Sequence, residues 1–138
     1  MDAHTFDRLI QSATERGKPF KILIADDERW VREVFRDYCD LTKALDVDLA
    51  HSGQEAVTKA MAQKYDLITL DIIMPEMSGL DALDAIKRAQ PQVPVMIITG
   101  NATEKLVREA GVLGACRVLY KPVLLEDFVE ELTSRLVG

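Results

Sequence analysis

Residues 20–27 read FKILIADD, six largely apolar and β-rich residues followed by two aspartates. A strand that is apolar on both faces is typical of a parallel sheet covered by helices on either side. The apolar run passes directly into Asp26 and Asp27. Two carboxylates therefore stand at the carboxyl end of the first predicted strand.

Three further apolar runs end on a polar side chain in the same way. They are residues 66–70 before Asp71, residues 95–98 before Thr99, and residues 116–120 before Lys121. A brief fifth run spans residues 47–50, and amphipathic segments such as residues 30–45 and 103–111 separate the runs. Ser52 and Glu55 form a predicted capping box at one helix start. Five strands alternating with five helices predict a doubly wound α/β fold, a five-stranded parallel sheet with helices on both faces.

The composition limits the size of the protein and its possible functions. The chain has 138 residues, of which 48% are hydrophobic, which is enough for one sizeable core. Its formal charge of −6 comes from interspersed acidic and basic residues, so direct nucleic-acid binding is not expected. No apolar run approaches the ~18 residues of a membrane span, and we expect a cytoplasmic location. Cys39 and Cys116 lack metal-ligand spacing and are interpreted as reduced thiols.

The residues before the first strand form a separate amphipathic segment. Its apolar positions at helical spacing are Phe6, Leu9, Ile10 and Ala13. Gly17 and Pro19 follow as stop signals. Residues 1–19 are therefore predicted to be an N-terminal helical extension of a core domain at residues 20–138. Its apolar stripe must be covered, either by the same domain or by a second copy of the chain.

The polar strand ends predict a metal site. In a doubly wound sheet the carboxyl ends of the strands share one edge, where ligands bind. Asp26, Asp27 and Asp71 are expected to meet there. Three close carboxylates repel one another, so one must be protonated or a hard cation must bind, and Mg²⁺ suits a site made of oxygen ligands.

The same strand ends predict phosphoryl chemistry. The Asp71 carboxylate can act as a nucleophile toward a phosphoryl donor and form an aspartyl phosphate. Mg²⁺ and the Lys121 ammonium would neutralise the phosphoryl oxygens, and the Thr99 hydroxyl would donate to another of them. The sequence has no P-loop motif for ATP, so the donor must bring its own activated phosphoryl group.

Four motifs together resemble the receiver domains of two-component response regulators, the CheY-like family. The motifs are ILIADDE at 22–28, DLITLDIIMPEMSGLD at 66–81, VMIITGNA at 95–102 and LYKPV at 119–123. The resemblance covers roughly residues 20–137. It implies the flavodoxin-like strand order 2-1-3-4-5. It also implies that Asp71 is the phosphoacceptor.

The resemblance assigns further roles around Asp71. Asp26 and Asp27 would hold Mg²⁺ together with Asp71 and the backbone carbonyl of Ile73. Thr99 would be the switch hydroxyl.

Lys121 would pair with the phosphoryl group in the same family pattern. The Lys121–Pro122 bond is typically cis in receivers. Receivers often place an aromatic residue three positions before the lysine, where this chain has Val118. Tyr120 lies on the same face by strand alternation, and it is open whether it replaces that residue as reporter of phosphorylation.

The resemblance also implies partners. The phosphodonor would be a phosphohistidine on a sensor histidine kinase or a phosphotransfer protein. We expect a stand-alone receiver, not an enzyme acting on external substrates, with output through an unidentified effector protein. A homodimer is possible through the N-terminal helix. It is also possible through the family's output surface, here the helix at 103–111, the strand at 116–120 and the last helix.

Other interpretations of the same residues stay open. Taken singly, Asp26 and Asp27 could only cap a helix, and Lys121 could be a solvated loop charge. An aspartyl-phosphate phosphohydrolase or phosphotransferase of the haloacid-dehalogenase type usually has a second aspartate two residues after the nucleophile, where this chain has Ile73. A constitutive receiver-like interaction module would commonly lack part of the acidic cluster, which is complete here.

Overall fold

The computed structural model describes residues 3–137, so the first two residues of the predicted extension and Gly138 lie outside the described residues. It contains one parallel sheet with the strand order β2-β1-β3-β4-β5, which confirms the predicted topology. The strands are β1 (Phe20–Ala25), β2 (Leu45–Ala50), β3 (Leu67–Leu70), β4 (Val95–Thr99) and β5 (Arg117–Tyr120).

Six helices connect and cover the strands. They are α1 (Ala3–Arg16), α2 (Arg29–Thr42), α3 (Gly53–Ala62), α4 (Gly79–Ala89), α5 (Glu104–Val112) and α6 (Leu125–Val137). One apolar layer joins the sheet to α3, α4 and α5, and a second joins it to α1, α2 and α6. Both faces of the sheet are therefore covered, as predicted. Between residues 3 and 137, none of the helices has the length and apolar character needed to cross a bilayer.

The boundary between α2 and β2 differs from the sequence prediction. The predicted helix at 30–45 ends at Thr42, and Leu45 instead begins β2 opposite Phe20. The chain leaves the helix through Lys43, whose φ of 55° is left-handed. The Thr42 hydroxyl donates to the Cys39 carbonyl and accepts from the Ala44 amide, so it replaces the helical hydrogen bonds at this end. An apolar stripe that continues into a strand gives no signal of such a boundary.

The predicted capping box is confirmed in one half only. The Ser52 Oγ accepts from the Glu55 amide at 3.1 Å, and α3 begins at Gly53. The Glu55 carboxylate accepts from the His51 amide at 3.3 Å, one residue before the cap. Its second oxygen lies 2.6 Å from the His51 imidazole, and this side-chain pair turns the glutamate toward His51.

The leading helix packs on its own chain. Leu9 is fully buried and Ala13 nearly so, in the same apolar layer as residues of α2 and α6. At the C-terminal end of α1, the Arg16 guanidinium stacks 4.2 Å from the Phe20 ring centre and pairs with Asp66 at 3.3 Å. The division into a 1–19 extension and a 20–138 domain stays a prediction. The buried stripe leaves fewer apolar groups on α1 for a second copy of the chain.

The packing of α1 predicts unequal effects of two neighbouring substitutions. Leu9→Ala should lower the free energy of unfolding by about 2–5 kcal/mol, because it removes a fully buried side chain. Ile10→Ala is the matched control, since Ile10 is 40% exposed, and it should cost less than about 1 kcal/mol. Urea unfolding followed by circular dichroism measures both. Equal small losses would show that α1 is not docked.

Candidate functional site

The carboxyl ends of the strands are held in register by backbone hydrogen bonds that extend beyond the strands. The Asp26 amide donates to the Ala50 carbonyl, and the Asp71 amide donates to the Ala25 carbonyl. On the other side of the site, the Lys121 amide donates to the Thr99 carbonyl at 2.9 Å. These bonds bring the polar side chains that end four strands to one edge of the sheet, as predicted.

Three carboxylates meet at this edge. Oxygens of Asp26, Asp27 and Asp71 all lie within 4.8 Å of one another. Asp26 and Asp71 are buried, whereas Asp27 is exposed. Burial raises the pKa of Asp26, and its hydrogen bonds from Lys121 and from the Glu28 amide offset only part of that effect. An arrangement of three oxygen donors with concentrated negative charge fits a hard divalent cation such as Mg²⁺.

Lys121 bridges two of the carboxylates. Its Nζ lies 2.6 Å from Asp26 Oδ2 and 2.8 Å from Asp71 Oδ2. Burial alone would lower the pKa of Lys121, but the hydrogen bonds to Asp26 and Asp71 and the charges of both carboxylates raise it. The lysine is therefore the internal cation of the site. The Lys121–Pro122 peptide bond is cis, in agreement with the family pattern.

The Asp71 carboxylate is fixed through both oxygens. Its Oδ1 accepts from the Ile73 amide at 3.0 Å, and its Oδ2 accepts from Lys121. Ile73 lines the same open cleft as Asp27 and Asp71. The structure thus brings Ile73 to the site, and its carbonyl as a metal ligand stays a prediction.

Thr99 contributes a hydroxyl that has no hydrogen-bond partner. Among residues 3–137, Thr99 Oγ1 is the only buried side-chain oxygen or nitrogen atom without a hydrogen-bond partner. Leaving a buried hydroxyl unpaired is costly, and such groups in native proteins call for an explanation. Thr99 lines the cleft beside Asp71 and Lys121, so a ligand oxygen entering the cleft could accept this hydrogen bond.

Gly79 shapes the loop after Asp71, a role that sequence reasoning did not assign. Its amide donates to the Ile72 carbonyl at 2.7 Å. A Cβ at this position would lie 2.0 Å from the Asp71 carbonyl oxygen and 2.4 Å from the Ile72 Cα. The start of α4 therefore lies directly against the loop that follows Asp71. The sequence marked Gly79 only as a residue that ends a loop.

Glu28 is the second site residue that the sequence prediction missed. One of its carboxylate oxygens lies 3.7 Å from Lys121 Nζ, and the residue lines the cleft. The sequence placed it inside a family motif without a role. No local pattern could have shown the contact, because Glu28 follows β1 whereas Lys121 follows β5, which is not adjacent to β1 in the sheet.

The expected aromatic position and its neighbour differ in exposure. Val118 packs against the apolar layer beneath α3, α4 and α5. Tyr120, two residues on, is 55% exposed. The aliphatic Val118 side chain cannot donate a hydrogen bond, so any aromatic reporter in β5 would have to be Tyr120.

A parallel sheet whose strand ends gather acidic residues, a lysine and a threonine hydroxyl defines the class of signalling phosphoacceptor domains. The family model described as the response regulator receiver domain matches residues 22–133. The chain belongs to this family, whose members operate in two-component signalling.

Two matches of similar length are to a CheY protein and to a chain of a complex that contains CheY. The chain is 32% identical over 132 residues to the chemotaxis protein CheY of Treponema pallidum, covering 94% of this chain and 92% of the relative. It also matches a chain in the crystal structure of the CheX–CheY–BeF3–Mg²⁺ complex from Borrelia burgdorferi. That match has a TM-score of 0.84 and 28% identity, covering 91% of this chain and 95% of the other.

Other relatives are enzymes with additional sequence. The chain is 40% identical over 127 residues to a protein-glutamate methylesterase/protein-glutamine glutaminase of Caldanaerobacter subterraneus. The match covers 86% of this chain but only 34% of that enzyme. CheY-like receiver domains are signalling phosphoacceptors, and relatives of this kind are enzymes through their other domains. The family binds Mg²⁺ in an acidic pocket, and the acidic cluster of this chain has the matching composition.

Proposed function

We propose that this protein is a signalling switch that accepts a phosphoryl group on Asp71 in a Mg²⁺-dependent reaction. The donor is a phosphohistidine on a sensor histidine kinase or a phosphotransfer protein. The observation that carries the proposal is the buried Asp71 carboxylate, bonded to Lys121 and placed beside two further aspartates. The unpaired Thr99 hydroxyl in the same cleft supports it.

Asp26, Asp27, Asp71 and the carbonyl of Ile73 are the proposed Mg²⁺ ligands. The metal would supply positive charge that neutralises the phosphoryl oxygens, which is the main requirement in phosphoryl transfer. The match to a chain of a complex that contains BeF3 and Mg²⁺ supports this assignment.

The residues of the chain then act on the donor as follows. An oxygen of the Asp71 carboxylate forms a bond to phosphorus while the bond from phosphorus to the donor imidazole nitrogen breaks. The electron pair of the broken bond leaves with the imidazole. Lys121 neutralises charge on the transferred group, and the Thr99 hydroxyl donates to one of its oxygens. Later attack of water on phosphorus breaks the bond from phosphorus to the Asp71 oxygen, releases inorganic phosphate and restores the free carboxylate.

Output is proposed to pass through protein–protein contact, as expected of the family. The candidate surface comprises α5, β5 and α6, where the exposed Tyr120 lies. A homodimer through this surface or through α1 is a further proposal, as are the cytoplasmic location and the absence of direct nucleic-acid binding. The effector protein is unidentified.

The enzymatic alternative has less support. The residue two positions after Asp71 is Ile73, whose side chain can neither donate nor accept a proton. The constitutive interaction module is also disfavoured, because all three carboxylates, the lysine and the hydroxyl are assembled at one edge of the sheet.

The proposal predicts the uptake of one phosphoryl group per chain. We expect wild-type protein incubated with Mg²⁺ and a small acyl phosphate to gain a single phosphoryl group in an intact-mass measurement. Removal of the metal with a chelator should abolish the gain, because the single charge of Lys121 does not offset three carboxylates and the donor oxygens together. Asp71→Asn should remain unmodified.

A matched control separates loss of the acceptor from a general effect of losing one charge. Asp84→Asn removes a carboxylate that pairs with Arg88 on the surface of α4, away from the cleft, and it should be modified like the wild type. An unmodified wild type, or a modified Asp71→Asn, would contradict the proposal.

A further inference from the structure

We propose that Glu28 is a positioning residue that receives the Lys121 ammonium when a divalent cation enters the acidic cluster. Trp30 holds the Glu28 carboxylate in place for this task. The inference rests on the Mg²⁺ site of the proposed function. It adds Glu28 to that site and gives a reason for an exposed tryptophan at position 30.

The Glu28 carboxylate has two different neighbours, one for each oxygen. Its Oε2 accepts a hydrogen bond of 2.6 Å from the Trp30 indole Nε1. Its Oε1 lies 3.7 Å from Lys121 Nζ, which is an ion-pair distance but too long for a hydrogen bond. The hydrogen bond from the indole thus holds the Glu28 carboxylate near Lys121, but at a distance at which the two side chains form no hydrogen bond.

The position of Glu28 in the chain has a local cost. It is the N-cap residue of α2, yet its side chain makes no capping hydrogen bond. Asp or Ser at an N-cap would bond to the helix amides and stabilise the helix. The backbone of Glu28 is nevertheless fixed, because its amide donates to Asp26 Oδ1 at 2.9 Å and its carbonyl accepts from the Arg32 amide. The side chain is directed to the site instead of the helix.

Trp30 is placed where packing does not require a tryptophan. Its side chain is 60% exposed and lines a small groove that includes Lys121 and Pro122. An exposed indole contributes little to core stability. Its hydrogen bond to Glu28 gives it a role in holding that carboxylate.

Cation entry changes the partners available to Lys121. The oxygens of Asp26 and Asp71 that now accept from Lys121 belong to the carboxylates that would bind the metal. A divalent cation there repels the ammonium and competes for these oxygens. Within the described residues, Glu28 is the third carboxylate within 4 Å of Lys121 Nζ. The distance between Glu28 and Lys121 should therefore shorten when the metal binds. The stronger ion pair would stabilise the metal-bound state relative to the metal-free state.

A double-mutant cycle on Mg²⁺ affinity tests the inference. Glu28→Gln should weaken Mg²⁺ binding about fivefold by calorimetry, the size expected for one partly exposed ion pair. In a Lys121→Met background the same substitution should change the affinity less than about twofold, because its partner is gone. If Glu28 acted only by direct attraction to the metal, the two backgrounds would show equal losses, and this result would overturn the proposal.

Trp30→Phe removes the indole donor and should weaken Mg²⁺ binding in the wild-type background but not in Glu28→Gln. Glu33→Gln is the matched control, since Glu33 pairs with Arg29 on the exposed side of α2, and its affinity should equal that of the wild type. If Lys121→Met does not fold, NMR of the Lys121 ε-methylene replaces it. The shift induced by Mg²⁺ in the wild type should differ in Glu28→Gln, and identical shifts would overturn the proposal.

These outcomes distinguish the inference from the proposed function. A wild-type protein that binds no Mg²⁺ would defeat the proposed function, and this inference with it. A wild type that binds Mg²⁺ with an affinity unchanged by Glu28→Gln would defeat this inference alone.

Discussion

Gly79→Ala is expected to lower the free energy of unfolding by about 3 kcal/mol, the upper part of the range for an overpacked site. The added Cβ would lie 2.0 Å from the Asp71 carbonyl oxygen, and the nearest other atoms are also backbone. Side chains can rotate away from such a clash, but here α4 must move away from the loop. Because this loop carries the proposed phosphoacceptor, phosphoryl uptake should fall together with stability.

Gly111→Ala is the matched control for this substitution. Gly111 also lies in a helix, but a Cβ there would meet nothing within 4 Å. Alanine in a helix interior is favoured over glycine, so this variant should be unchanged or more stable by up to about 1 kcal/mol. Urea unfolding of both variants measures the difference. A Gly79→Ala protein as stable as the wild type would show that α4 does not press against the Asp71 loop.

Lys121→Met should produce the second large effect, a loss of about 3 kcal/mol in metal-free buffer at neutral pH. Asp26 and Asp71 would remain buried without the ammonium that now bonds to both of them. Saturating Mg²⁺ should restore most of the loss, because the cation replaces the missing charge. Thermal unfolding with and without Mg²⁺ measures the rescue.

The pH dependence of this variant follows from Asp26. Burial raises the pKa of Asp26 in the folded protein, and removing Lys121 takes away the strongest opposing interaction. A raised pKa means that the folded state binds a proton more tightly than the unfolded state, so stability increases as pH falls toward the folded pKa. The stability lost through Lys121→Met should therefore be smaller at pH 5 than at pH 7.

The Mg²⁺ rescue has its own contradicting outcome. If Mg²⁺ stabilised the wild type more than the Lys121→Met variant, the account of Lys121 would be wrong.

The strands could be predicted because most of them carry a complete local signal, whereas the strand order was implied by the resemblance to receiver domains. The apolar runs at Phe20–Ala25 and Val95–Thr99 are buried on both faces, and their lengths and flanking residues identify them. The end of α2 could not be predicted in the same way. Leu41 fits the apolar stripe but is 63% exposed, and the helix ends at Thr42 because of hydrogen bonds that no apolar pattern records.

The site was predictable to the extent that its residues stand at strand ends. Asp26, Asp71 and Lys121 follow directly from the rule that such ends converge. Glu28 acts through a contact with Lys121, which is far away in sequence. Gly79 acts through the close approach of its backbone to the Asp71 loop, which only the three-dimensional structure shows. The packing of α1 could be predicted in part. The sequence shows its apolar stripe, but not that the stripe packs against α2 and α6.

The location of the phosphoryl group tests the central claim most directly. Wild-type protein treated with Mg²⁺ and a small acyl phosphate would be reduced with borohydride, digested and sequenced by mass spectrometry, so that the reduced residue marks the former aspartyl phosphate. We expect the mark at Asp71 alone, in the peptide that contains the loop between β3 and α4. A mark at Asp26 or Asp27, or no mark in protein that has gained a phosphoryl group, would contradict the assignment of Asp71 as the acceptor.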